Sequence, residues 1–148
     1  MKKVAWIAVV LWMAFIFYMS HQPAHVSNEL SKEVAKVIAV NFDMVANEEF
    51  QLGSFNGMIR KYAHFFLYLV LGLVVIFSLN KTGMRGTKAV LLSIAICVVF
   101  AITDEWHQLF VPGRGAQISD VLIDSCGAIV GVMSYVGIKL MVRKAIWA

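Results

Sequence analysis

Four apolar runs, about 4–20, 62–79, 89–110 and 119–141, divide the 148-residue chain, and polar residues gather at their ends. Each run reaches or approaches the ~20 residues that cross a bilayer core at ~1.5 Å per residue. The pattern predicts an all-α membrane protein, a bundle of four transmembrane helices. Lys2 and Lys3 precede the first run, and Ser20-His21-Gln22-Pro23-Ala24 after it gives no small-residue cleavage pattern. This run therefore reads as an uncleaved signal-anchor ending near Pro23, with Trp6, Trp12 and Tyr18 expected at interfacial depth.

Residues 20–61 form the one long connection. Beyond Ser27, a residue type that caps helices, Leu30, Val34, Val37 and Ile38 repeat at helical spacing. Glu29, Lys32, Glu33 and Lys36 fall on the other side. The segment predicts a short amphipathic extracytoplasmic helix lying on the membrane surface between spans 1 and 2. Residues 41–57 have apolar positions without a clean period, leaving room for a second short helix. Between spans 3 and 4, Pro112-Gly113-Arg114-Gly115 is a turn that folds the chain back.

Composition sharpens this picture. Hydrophobic residues make up 60% and charged ones 15%, with a mean hydropathy of +0.76. A water-soluble domain of this length could not bury so much apolar surface, so residues 1–148 are expected to form a single membrane domain. The net charge of +4 comes from short basic clusters beside the apolar runs, which serve topology and excludes a phosphate-binding stripe for nucleic acid. Lys2, Lys3, Lys81, Arg85, Lys88, Lys139, Arg143 and Lys144 all share one side if the N-terminus is cytoplasmic. Those are eight of the thirteen Lys and Arg, and the inverse arrangement breaks the positive-inside rule at every short loop. Both termini are thus expected in the cytoplasm. Cys97 and Cys126 lie inside apolar runs without metal-binding spacing and read as packing thiols.

The exceptional residues are ionisable groups next to or inside the spans, which are expensive there and so pair or perform a task. Arg60, His64 and Tyr68 repeat at i, i+4, i+8, with Lys61 beside the first. In the third span Asp104, Glu105 and Gln108 lie within one turn, and Arg114 follows in the loop. Asp120 and Asp124 are one turn apart in the fourth, on a stripe that continues through Gly127 and Gly131 and allows a close helix approach. Three helices can therefore aim these groups into one space at the outer end of the bundle. The bland reading is an ion-pair network in which Arg60 and Arg114 fork onto the carboxylates. The functional reading is a pocket for an anionic head group or a lipid-linked envelope precursor. Its ligand-binding set is Arg60, Lys61, His64, Tyr68, Asp104, Glu105, Gln108, Arg114, Asp120 and Asp124. His64, Asp104, Glu105 and Asp120 are the candidates for proton transfer if a reaction occurs. His64, His107 and the aspartates are plausible metal ligands, but residues 104–107, Asp-Glu-Trp-His, do not form the H-E-x-x-H zinc pattern and the arginines would repel a cation, so no metal or cofactor is expected. His21 and His25 read as interfacial polar residues.

Residues 60–72 and 104–131 carry R-K-x-x-H-x-x-x-Y, D-E-x-x-Q-x-F-x-x-x-R and D-x-x-x-D-x-x-G-x-x-x-G, and residues 18–27 give a weaker echo. On these motifs the chain resembles the VanZ-like family of small bacterial membrane proteins, with Asp124 standing where many members have Asn. The resemblance implies a bacterial plasma membrane protein acting near the cell envelope, with a possible contribution to teicoplanin-type glycopeptide resistance. A membrane enzyme acting on a lipid head group or lipid-linked glycan, and a non-enzymatic scaffold, are the alternatives.

Overall fold

A computed structural model describes the backbone of residues 2–41 and 48–146, and the side chains of 2–34 and 57–145. Among the described residues the chain is helical throughout: α1 (Lys2–Ser20), α2 (Ala24–Asn41), α3 (Glu48–Thr82), α4 (Thr87–Gln108) and α5 (Ile118–Ile146). Four stretches are long and apolar enough to cross a membrane: Lys2–Ser20, Gly57–Thr82, Thr87–Gln108 and Ile118–Ala145. Their outward faces carry exposed Val4, Leu11, Phe66, Leu91, Leu122 and Met141, the surface expected of a bundle solvated by lipid.

The element ends depart from the sequence pattern by up to a turn or more. The helix expected to start at Ser27 begins at Ala24, directly after Pro23, and Ser27 donates its backbone N–H to the Pro23 carbonyl. Its exposed apolar residues Val26, Leu30 and Val34 form a stripe at i, i+4, i+8, as a surface helix requires. Val37 and Ile38 lie outside the described side chains. The second short helix allowed for residues 41–57 is instead the beginning of α3, which runs unbroken from Glu48. Span 3 stops at Gln108, and Leu109 and Phe110 belong to the turn that follows.

Helix α3 is central and touches every other helix. Tyr68, Leu71, Val75, Ile76 and Leu79 supply its part of the core, against Val9 and Ile16 of α1, Cys97 and Ala101 of α4, and Ala128 and Val132 of α5. The α3–α5 contact is close because glycines face backbone: a Cβ on Gly127 would strike the Phe65 carbonyl, one on Gly131 that of Leu69, and one on Gly72 that of Ala128. The small-residue stripe read from the sequence has this role. Helix α1 is held differently. Trp12 is half-buried against the core, and its Nε1 donates to the Leu67 carbonyl at 2.9 Å. Ser78 Oγ donates to the Ala5 carbonyl at 3.0 Å. Towards α4 the α1 surface is looser, leaving an apolar groove of about 560 Å³ beside Val10, Met13, Phe17 and Phe100. Cys97 is buried, whereas Cys126 is exposed on the outer face rather than packed, and both are free thiols.

Lys139 Nζ bonds Asn80 Oδ1 at 2.6 Å, which places the start of α1 and the ends of α3 and α5 at one end of the bundle. The opposite end holds the α1–α2 link, the α4–α5 loop and the polar residues.

Gly131→Ala should lower the thermal unfolding midpoint of the detergent-purified protein, at the ~1–3 kcal/mol typical of overpacking. Gly137→Ala, where an added Cβ meets nothing within 4 Å, should leave it unchanged or slightly raised.

Candidate functional site

Helical spacing brings the polar end together. On α3, His64 and Tyr68 are successive turns of one face. Tyr68 is buried and His64 Nδ1 sits 3.6 Å from Asp124 Oδ2 on α5, near enough for charge but too far for a hydrogen bond. This pairing depends on the glycine contact, because Gly127 meets Phe65 one residue beyond His64. Asp104 of α4 reaches the same point: ligating atoms of His64, Asp104 and Asp124 all lie within 4.8 Å of one another.

These groups are deeply placed. Asp104 and Asp124 are 0% exposed, Glu105 3% and Gln108 5%. Few of their polar atoms are satisfied. Ser20 Oγ donates to Asp104 Oδ2 at 2.7 Å, and the Gln117 backbone N–H donates to Glu105 Oε2 at 2.8 Å. Left without a hydrogen-bond partner are His64 Nδ1, Tyr68 Oη, Asp104 Oδ1, Glu105 Oε1, Gln108 Nε2 and both oxygens of Asp124. So many polar atoms without a side-chain partner in one buried patch are costly, and they set this patch apart from the rest of the interior.

The ion-pair network of the bland reading does not form. Among the described residues the charged pairs within 4.0 Å are Lys32–Glu29 and His64–Asp124, and neither Arg60 nor Arg114 meets a carboxylate. Arg114 turns away instead: its Nε donates to the Gln22 carbonyl at 2.9 Å. Beside it, the Ala24 backbone N–H donates to the Pro112 carbonyl at 3.2 Å. The α4–α5 loop thus docks on the α1–α2 link. Gly113, with φ of 75°, makes that approach, its added Cβ coming within 3.1 Å of Ala24 Cβ. Burial first, then the positive charge of Arg60, lowers the Arg114 pKa from its ordinary value. Arg60, Lys61, His64, Asp120 and Asp124 line one narrow cleft, with Ile123 as its apolar wall. Asp120 accepts from Ser119 Oγ at 3.1 Å.

All ten residues expected at the site are at this end of the bundle, in two settings. His64, Tyr68, Asp104, Glu105, Gln108 and Asp124 are in the interior, whereas Arg60, Lys61, Arg114 and Asp120 surround it at half-buried positions. Two contributors were not singled out by the sequence. Ser20 orients Asp104, and its one signal is the position where the first apolar run meets Ser-His-Gln-Pro. His21 Nδ1 lies 3.0 Å from His107 Nε2, with Phe17 stacked on the His107 ring at 4.2 Å between centroids. His21 therefore joins α1 to α4, which an interfacial reading of that residue did not include.

The family model described as VanZ/LLP1 matches residues 5–141, nearly the whole chain. Neither the curated proteins nor the solved structures hold a significant match to it.

Ser20→Ala should destabilise the protein by about 1–3 kcal/mol, since it removes the one donor that a fully buried carboxylate has among the described residues. Ser20→Thr keeps the hydroxyl and should recover most of that loss in the same thermal melt.

Proposed function

The chain belongs to the VanZ/LLP1 family, and on that premise we propose that it is a single-domain protein of a bacterial cell envelope that binds an anionic head group. The group is that of a lipid-linked envelope component in the outer leaflet. One observation supports this reading: Arg60 and Lys61 stand beside His64 and Asp124 at a crevice too tight to admit a water molecule without opening, and neither cation is engaged by a carboxylate within 4.0 Å among the described residues. Unpaired cations at the edge of a bilayer favour phosphate or carboxylate from a lipid. Arg60 and Lys61 hold the anion, and Arg114 adds positive potential from the loop. Binding or altering such a component is a route to lower susceptibility to teicoplanin-type glycopeptides, the trait implied by the family resemblance.

A second reading, a membrane enzyme acting on that head group, is favoured by His64 beside Asp124 in the same cleft, a pair able to transfer a proton to or from a bound ligand. The two separate on His64→Gln, which should abolish turnover of a lipid-linked substrate while retaining its binding.

Orientation follows from charge. Both termini lie at the end bearing Lys81, Arg85, Lys88, Lys139, Arg143 and Lys144, which we assign to the cytoplasm. In a cysteine-free background, Ala116→Cys should react with a membrane-impermeant maleimide in intact cells and Met84→Cys should react only after lysis. The reverse pattern inverts the topology and moves the cleft to the inner leaflet.

In a null strain, the wild-type chain should raise the teicoplanin inhibitory concentration several-fold, and Arg60→Gln should lose most of that at equal membrane abundance. Loss together with a collapse in abundance would assign Arg60 to assembly instead.

A further inference from the structure

We propose that His64, Asp104 and Asp124 form a binding site for one divalent metal ion of the class held by mixed imidazole and carboxylate donors, manganese or zinc. The site goes beyond the head-group reading and does not need it, since it rests on the donors themselves.

The donors come from three different helices, α3, α4 and α5, and converge with their ligating atoms within 4.8 Å of one another. Ligands at ~2.0–2.2 Å from a shared ion stand roughly 3–3.6 Å apart. The 3.6 Å between His64 Nδ1 and Asp124 Oδ2 has that spacing, and the full set, spread over as much as 4.8 Å, would draw in slightly to share one ion. Both aspartates are 0% exposed, and three of their four oxygens have no hydrogen-bond partner. Buried carboxylates in such surroundings are paired with cations or bound to metals. No Lys or Arg approaches either within 4.0 Å among the described residues, and His64, 3.6 Å from Asp124, is the one side chain there that could carry a compensating charge for two carboxylates.

The surroundings fit an ion too. Ser20 fastens Asp104 through Oδ2, which leaves Oδ1 as the unpartnered atom. A hydrogen bond to one oxygen that sets the direction of the other is the usual support of a carboxylate ligand. Tyr68, a turn from His64, and Gln108, a turn from Asp104, bring further buried polar atoms without partners. One imidazole nitrogen with carboxylate oxygens is a donor set shared by manganese and zinc, and no thiolate is present to select a softer ion. Cys97 is buried lower in α4 and is outside the convergent set. The His21–His107 pair, 3.0 Å apart and at the surface, is a separate place where zinc could be caught adventitiously, which makes manganese the better probe.

The test uses the full chain in lipid nanodiscs, stripped with EDTA and titrated with Mn²⁺, with bound ion read by electron paramagnetic resonance and unfolding temperature followed in parallel. Wild type should bind close to one Mn²⁺ per chain with a dissociation constant in the micromolar range or below, and should melt at a higher temperature with the ion than without it. His64→Gln and Asp124→Asn should each weaken binding at least tenfold, whereas His107→Gln should bind as wild type does. Absence of binding by wild type at millimolar Mn²⁺ overturns the proposal and assigns the aspartates as protonated acids, in which case Asp104→Asn and Asp124→Asn melt no lower than wild type. Undiminished binding by the Asp104→Asn/Asp124→Asn double variant overturns it as well, by placing the ion elsewhere. Should the aspartate variants fail to fold, His64→Gln and the wild-type stoichiometry still decide.

Discussion

The close approach of α3 and α5 is the constraint from which the rest follows. Inside a bilayer there is no water-driven force between helices, so association relies on backbone proximity and on the few polar contacts that helices share. Gly72, Gly127 and Gly131 supply that proximity by leaving room for carbonyls of the opposite helix. Once the two axes are so near, His64 and Asp124 have nowhere to be except across from each other, and α4 completes the set by adding Asp104. The polar centre is thus a product of packing between small residues several turns long, set at a distance from the chemistry it positions.

That arrangement has a cost in electrostatics. Two aspartates without exposure and one glutamate nearly so are held at one end of a helical bundle with, among the described residues, a single side-chain donor and one backbone N–H between them. A bundle selected for stability alone would replace them with apolar residues, since buried charges seldom repay their desolvation. Their presence beside unengaged basic residues separates two tasks along the same axis: an interior that suits positive charge and a rim that suits negative charge. A phosphate-bearing head group at the rim and a cation within would satisfy both.

How much of this could be read from the sequence depended on the range of the interaction. Span number and approximate span ends follow from run length. They erred where a polar residue still takes helical geometry, as before Gly57, or where an apolar one enters a turn, as at Leu109 and Phe110. Faces shared along one helix were legible for the same reason: His64 with Tyr68, Asp120 with Asp124 and the glycine stripe are matters of periodicity. Contacts between distant segments were not. The sequence suggested arginine forks on the carboxylates, yet Arg114 is taken by the Gln22 carbonyl because the loop docks on the α1–α2 link. Trp12 reads from the sequence as an interfacial residue, and its bond to the Leu67 carbonyl, which anchors α1 to α3, has no trace there. Ser20 is marked in the sequence by nothing more than its place at the end of the first apolar run, and its role emerges only when α1 is laid beside α4.

The groove between α1 and α4 has a bearing on what the folded object is. Its walls, Val10, Met13, Phe17 and Phe100 among them, are apolar, and water would gain nothing by entering. In a bilayer such a groove faces hydrocarbon, and an acyl chain lying in it would complete a layer that the polypeptide leaves unfinished. A tail in that position would stand in for a missing core side chain, and the folding unit would be protein plus annular lipid. Tail length and unsaturation become packing variables in the way that leucine and valine are in a soluble core, and a change of membrane composition acts on this molecule as a core mutation would.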